Sequence, residues 1–429
     1  MVNKKVINVL TLLSRLIIGV TFTFSGFVKS VDPLGTAYKI QDYFIALNLP
    51  EFLSLALFLS VILCVVELLL GIFILLGLYR KLTSILVLLF MIIMTPLTLW
   101  IAIDNPVKDC GCFGDALIIS NWQTFYKNIV LSVCAVLLLA NYKNIKSIFS
   151  KRTELIVALF TIIFGFSFAL YNIIYSPVFD FRPYKIGSHL PEKINVDPAR
   201  VGEFENIFVY TKNGEQKEFK EDDYPWNDST WTFVEMETRM TKEGEKPEIE
   251  DFHVELVQYD DSTKTFINND ITEDILKDPA YSFWMISYSL EDAETKYLYQ
   301  LKDIADFAAN NNYKFYCITS SSVETINEWG ETYDANFNFC QADERMLKTI
   351  VRSNPGLVLV KNGTVINKWC DNKLPIIKEK DKSSIVSELT KDVYHQQRNM
   401  KTIVLLLLLF IVPLLIIKVI ENKLNIKNK

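Results

Sequence analysis

The sequence predicts a polytopic α-helical membrane protein of about six spans, carrying an exported α/β body with a β-rich insertion. Three observations predict it. Half of the 429 residues are hydrophobic, and they concentrate in residues 6–175 and again in 402–420. Between Ser176 and Met400 stand 41 acidic against 26 basic residues, so an acidic body is joined to a basic membrane part. Within that body the long apolar runs give way to short β-leaning stretches and amphipathic helical patterns. Such acidity excludes nucleic-acid binding by the body, which could not neutralise phosphates, and reads as solubility on an exported face.

Six apolar segments are each long enough, at roughly 20 residues, to cross a hydrocarbon core as a helix. They are Val6–Phe27, Phe52–Leu78, Leu82–Ile103, Thr124–Leu139, Leu155–Tyr175 and Thr402–Val419, the fourth being the shortest. The first is not read as a cleaved signal, because Arg15 interrupts it and no small-residue cleavage site follows.

Lys/Arg bias in short loops sets the orientation. Lys4 and Lys5, Arg80 and Lys81, the cluster Lys143, Lys146, Lys151 and Arg152, and finally Lys423, Lys427 and Lys429 all fall on one side. That side is expected to be cytoplasmic, with both termini inside. The loop after the third span and the whole of residues 176–400 then face outward together.

Two charges lie within spans, Arg15 in "LLSRLIIG" and Glu67 in "CVVELLLG". Charges there are costly and pair or face a polar cavity. Counted from the inner ends, Arg15 is roughly 14 Å deep and Glu67 roughly 16 Å at the helical rise. Like depth and opposite sign predict an intramembrane ion pair, read chiefly as a clip between helices, with proton, quinone or ion coupling as the functional version.

The outward loop after the third span reads "DCGCFGD", residues 109–115. A disulfide across one residue closes a small ring that struggles to reach relaxed geometry, which suits an exchanging pair. Gly111 tolerates the unusual backbone angles needed. Asp109 and Asp115 would raise the thiol pKa values, with Lys108 the one nearby base in sequence. A structural disulfide or buried loop pair, and a soft-metal site for an ion such as Cu(I), are the competing readings. No third ligand is adjacent, so no metal site is assigned. Cys64, Cys134 and Cys317 read as small buried apolar residues.

"RLIIGVTFTFSGFVKSVDP", "VELLLGIFILLGLYRK" and "CGCFGD" together resemble the DoxX/MauE-like family of four-helix membrane proteins. The matching residues are Arg15, Gly19, Gly26, Lys29, Pro33, Glu67, Gly71, Cys110, Gly111, Cys112, Phe113 and Gly114, and the likeness spans residues 1–145. It implies a thiol–disulfide accessory role in an energy-transducing membrane, with a quinone as one electron acceptor; no other cofactor is implied. No other exported membrane loop contains cysteine, so a relay pair must come from the body or from another protein.

Residues 153–176 supply a fifth span, and 177–280 read as the β-rich subdomain. There "NIFVYTKNGEQKEF" forms a hairpin on its Asn-Gly turn, with "TWTFVEMETRM" and "FHVELVQ" as further strands. From 281 to 375 the order is strand "SFWMISYSL", helix "TKYLYQLKDIADFAAN", strand "YKFYCITSS", helix "SVETINEWGETY" and hairpin "NPGLVLVKNGTVINKW". This order resembles the thioredoxin-like fold, with Asn354-Pro355-Gly356 where that family places its cis-proline. The departure is chemical: "SYSLEDAET" stands where the family has Cys-x-x-Cys. The domain therefore reads as a partner-binding surface. Residues 376–400 read as a helical connector and 401–421 as the last span.

Cys340 and Cys370 remain as secondary thiols, able on sequence grounds to pair, to reach the CGC loop or to stay apart. His189, His253 and His395 show no zinc spacing, and no P-loop, dinucleotide fingerprint or serine-nucleophile motif occurs. The leading expectation is an accessory protein of the bacterial inner membrane. Cys110 and Cys112 exchange electrons on its periplasmic face, lipid surrounds its spans, and its body holds an exported protein partner or client. The alternative is a non-catalytic scaffold or complex subunit in which the loop cysteines only order a turn.

Overall fold

The computed structural model describes residues 4–107, 109–195, 203–212, 215–221, 223–228, 230–242, 247–260, 265–377, 386–387, 389–390 and 395–427. Lys108, the Asn213-Gly214 turn and most of the 376–400 connector lie outside them.

Six helices among the described residues are long and apolar enough to cross a membrane. The membrane part begins with α1 (Lys4–Val31), α2 (Pro33–Ala46), α3 (Ala56–Leu76), α4 (Arg80–Asp104), α5 (Asn121–Ala140) and α6 (Lys151–Ile174). Helix α2 is not a span. It begins where Asp32 accepts the backbone N–H of Gly35 and Pro33 fills the first turn, as expected of an N-terminus. The short fourth span is fixed at its start by a capping box between Ser120 and Gln123.

Helices α1 and α3 pack closely because glycine lies at their contact. A methyl group on Gly26 would collide with the backbone of Leu68, and one on Gly71 with that of Thr23. These two contacts fix the antiparallel register. They set Arg15 level with the last turn of α3, while Glu67 lies level with the C-terminal end of α1.

The body that follows α6 starts with the short helix α7 (Leu190–Ile194) and the three-stranded sheet β2-β1-β3, made of β1 (Glu203–Lys212), β2 (Glu215–Lys220) and β3 (Thr232–Lys242). A seven-stranded sheet of order β10-β9-β6-β7-β8-β4-β5 forms the rest. Its elements are β4 (Val254–Asp260), β5 (Thr265–Asp270), α8 (Thr272–Lys277), β6 (Tyr281–Ser287), α9 (Leu298–Asn310), β7 (Lys314–Thr319), α10 (Val323–Thr332), β8 (Asn338–Ala342), α11 (Glu344–Ile350), β9 (Gly356–Lys361) and β10 (Thr364–Cys370). The chain then returns to the membrane as α12 (His395–Lys427).

Strand β6 pairs parallel with β7 and antiparallel with β9, and β9 pairs antiparallel with β10. That is the thioredoxin-like arrangement, and the Asn354–Pro355 peptide is cis. Alternate residues of β6 feed two cores: Trp284 and Ile286 pack with Ile318, Leu347 and Val358, whereas Phe283 and Met285 pack with Leu301, Ile304 and Leu357.

The sequence boundary at 280/281 divides this sheet wrongly. Strands β4 and β5 lie in the stretch read as a separate subdomain, yet β4 pairs with β8 and covers an edge that would otherwise be open. Among the described residues only β1–β3 form a sheet of their own. The short elements β8 and α11 were not foreseen. Past β10, the Asn372 amide bonds the carbonyl of Ile174, holding the end of the sheet against the exit of α6.

Candidate functional site

The CGC loop follows α4 and is shaped by its own polar groups. The Gly111 N–H bonds the Asp109 carboxylate, and the Gly114 N–H bonds the Gly111 carbonyl. Gly111 has φ +65°, a left-handed conformation that a side chain would strain. Lys39 of α2 pairs with Asp109 at 2.7 Å, and the Tyr43 hydroxyl donates to the Cys110 carbonyl at 2.7 Å. From α1, Ser25 donates to the Cys112 carbonyl at 2.5 Å.

This places the sulfurs of Cys110 and Cys112 3.1 Å apart as free thiols. Both are buried in an apolar cluster with Ile101, Val107, Tyr43, Leu97 and Trp100. The opposite side of the loop, Gly111 and Gly114, lines a cavity of about 740 Å³ between the membrane part and the body. Lys29, Phe179, Arg182, Lys348 and Arg352 also line it.

The two thiols differ. The hydrogen bond shared with Cys110 and the positive charges of Lys127 and Lys29 outweigh burial and lower the Cys112 pKa to about 6. Sharing that bond with Cys112, together with burial, pushes Cys110 up, although the Tyr43 hydroxyl and the Lys29 charge act the other way. The sequence expectation that flanking acids would raise both is therefore corrected. Asp109 is neutralised by Lys39, and among the described residues the cations that lower Cys112 come from α1 and α5, Lys108 lying outside them.

The expected pair of Arg15 with Glu67 does not form. Arg15 donates from Nε to the Ile74 carbonyl (2.9 Å) and from Nη2 to the Leu75 carbonyl (2.7 Å), capping the C-terminus of α3. Glu67 instead binds Lys29 at 2.5 Å, with both side chains buried, and Lys29 also donates to Ser25 at 3.0 Å. The glycine-set register is the cause. Lys29 was noted only among the family-matching residues; its place two residues before the C-terminal end of α1 was the available signal.

The secondary thiols do not meet. Cys340 lies on β8 and Cys370 on β10, four strand positions apart, or roughly 19 Å at the usual inter-strand spacing. Cys340 is fully buried in a core cluster, and the Cys370 thiol bonds the Asn372 side chain. Among the described residues no group of three or more His, Cys, Asp or Glu could hold a metal ion.

The body docks directly beside the loop. Arg352, between α11 and the cis-proline, binds Asp32 through Nε and Nη2, and its Nη2 stands 3.6 Å from Asp115. Arg345 pairs with Asp42 at 3.1 Å, and Lys348 lies over the rings of Tyr38 and Tyr288. No local pattern in the sequence announced these contacts. Nearby, Asp180 holds both Arg182 and Lys368.

Comparisons with known proteins cover the chain in pieces. Residues 204–243, the three-stranded sheet, match a domain of unknown function (DUF8463). No curated protein matches the chain. The solution structure of a candidate thioredoxin from Neisseria meningitidis aligns with 34% of this chain and 91% of its own, at 10% identity and a TM-score of 0.22. The fold assignment rests on the strand order above, not on this likeness. Residues 7–141, holding α1 to α5 and the CGC loop, match the family model of methylamine utilisation protein MauE, and the membrane part of this chain is MauE-like.

Proposed function

We propose that the protein is a thiol–disulfide accessory protein of the bacterial inner membrane, with Cys110 and Cys112 as the exchanging pair. Both termini are then cytoplasmic and residues 176–400 periplasmic, as the Lys/Arg bias of the short loops supports. One observation carries the reading: two cysteine sulfurs 3.1 Å apart in one buried loop, beside a cavity roofed by a thioredoxin-like body. The body has no Cys-x-x-Cys between β6 and α9, so its part is to position a client or partner over the loop. The apolar flank of Leu97, Trp100 and Ile101 is where a lipid-soluble acceptor such as a quinone would reach the sulfurs.

Alkylation mass shift of the native protein tests this. Cys110 and Cys112 are expected to change together between oxidised and reduced membranes, with Cys110→Ala abolishing the change. Thiols that stay in one state under both conditions would end the proposal.

A second reading is favoured by the ionic contacts of Arg352 and Arg345, which hold the body in place: a non-catalytic scaffold whose body binds a partner. A stable partner that still co-purifies after loss of both loop cysteines supports that version.

A further inference from the structure

We infer that Cys112, not Cys110, is the nucleophilic sulfur of the pair, and that Lys29 and Lys127 are positioning residues that hold its thiolate. The inference rests on the exchange reading above for its use, but it concerns a property of the sulfurs that can be measured alone.

The asymmetry is geometric. On the Cys112 side, Lys29 is fixed by Glu67 and donates to Ser25, and Ser25 in turn donates to the Cys112 carbonyl. The loop is thus tied to a buried ammonium through one hydroxyl. Lys127 of α5 stands 4.4 Å from the ring centroid of Phe113, the next residue along. Among the described residues Lys127 makes no ion pair, so its charge remains available to the neighbouring sulfur. On the Cys110 side the hydrogen-bonding partner is a neutral hydroxyl rather than a second lysine. Asp109 precedes Cys110, Lys39 neutralises that carboxylate, and the Tyr43 hydroxyl serves both the Cys110 carbonyl and its side chain.

The charged and titratable groups around the pair are therefore Lys29 of α1, Lys39 and Tyr43 of α2, Glu67 of α3, Lys127 of α5, and Asp109 and Asp115 of the loop. Lys29 favours an anion on either sulfur, Glu67 opposes one on Cys112, and Lys127 adds its charge to Cys112 alone. The depressed Cys112 pKa agrees with this placement.

With a protein disulfide as co-reactant, the exchange balances as follows. The Cys112 thiolate attacks one sulfur of the partner disulfide, forming a mixed disulfide and expelling the other partner sulfur as thiolate. That thiolate takes the proton of Cys110. The Cys110 thiolate then attacks the Cys112 sulfur, forming the Cys110–Cys112 bond and releasing the second partner thiolate. Two electrons pass from the pair to the partner. In reverse, a partner thiolate attacks the Cys112 sulfur and expels Cys110, and Cys112 then leaves the mixed disulfide as the second partner thiolate attacks the partner sulfur.

The test uses full-length protein in native membranes, reduced, with iodoacetamide as probe and peptide mass spectrometry as readout. The midpoint of rate against pH, which reports thiolate fraction whatever the access, is expected near 6 for Cys112 and above the ordinary thiol value of about 8.5 for Cys110. Lys127→Met, with Lys127→Gln as a second variant, should raise the Cys112 midpoint by about one unit, and the paired change Lys29→Met with Glu67→Met should move it the same way. With glutathione disulfide as a second probe, Cys110→Ala should trap a mixed disulfide at Cys112 at least about tenfold more than Cys112→Ala traps one at Cys110.

A lower midpoint at Cys110, or equal trapping by the two variants, overturns the nucleophile assignment. A Cys112 midpoint unmoved by either lysine change, or no alkylation at any pH, overturns the positioning role. Correct midpoints with a pair that never changes redox state in membranes would instead sink the exchange reading while leaving this inference standing.

Discussion

Arg352 and Asp32 are 320 residues apart in sequence, yet they meet fork to fork, with Nε–Oδ1 at 3.0 Å and Nη2–Oδ2 at 2.6 Å. Asp32 also caps α2 and follows Lys29 by three residues, while Asp115 follows Cys112 by three. A single guanidinium from the body thus touches both segments that frame the thiol pair. Arg352→Met leaves Asp32 buried without its cation, and such breaks cost about 3–5 kcal/mol. A fall in the thermal midpoint of the purified full-length protein is expected, and Arg352→Lys should restore little of it, since a point charge does not reproduce the fork.

The same pair sets a pH dependence. Burial pushes the Asp32 carboxyl up, but the Arg352 guanidinium outweighs it and holds the group below its usual value. A depressed folded-state value means the stabilisation is fully present above the unfolded pKa of about 3.9 and is lost as pH falls through the folded one. Limited proteolysis of the body at stepwise lower pH should therefore show release only in strong acid. Release between neutrality and about pH 5 would contradict this assignment.

Lys29 and Glu67 should be coupled, and Arg15 and Glu67 should not. In double-mutant cycles read by thermal shift, the Lys29–Glu67 term is expected to reach about 1–3 kcal/mol, because each single change strands a buried charge. The Arg15–Glu67 term is expected within about 0.5 kcal/mol of zero. Lys29→Met combined with Glu67→Met should accumulate better in membranes than Lys29→Met alone.

Cys340 and Cys370 should both be alkylated in unfolded protein that has not been reduced, since no bond joins them. Cys340→Ser buries a hydroxyl in an apolar cluster and should destabilise by about 1–3 kcal/mol, seen as a lowered thermal midpoint. A mass consistent with a Cys340–Cys370 disulfide would refute the strand order.

The spans were legible because apolar length is a property of contiguous residues, and the CGC loop because its cysteines are neighbours in sequence. The partner of Glu67 was not. Comparing depths from inner helix ends assumes that helices begin level, whereas α1 and α3 take their stagger from the small residues Gly26 and Gly71. Strand β8 escaped notice because "NFCQA" is short and mixed, and with it went the reason β4 joins the larger sheet. Lys127 was hidden for the same cause as Arg352: a charge brought in by another helix leaves no trace in the segment it acts upon.

The chain enters the thioredoxin-like body from α6 and goes back into the bilayer through α12, and Asn372 grips the exit of α6. A lobe moored by two stalks cannot drift off when its ionic contacts let go. It stays within a small volume above its own loop, where the effective concentration is of order millimolar. Each re-encounter is intramolecular, so even a weak footing is regained without a search through the surrounding fluid.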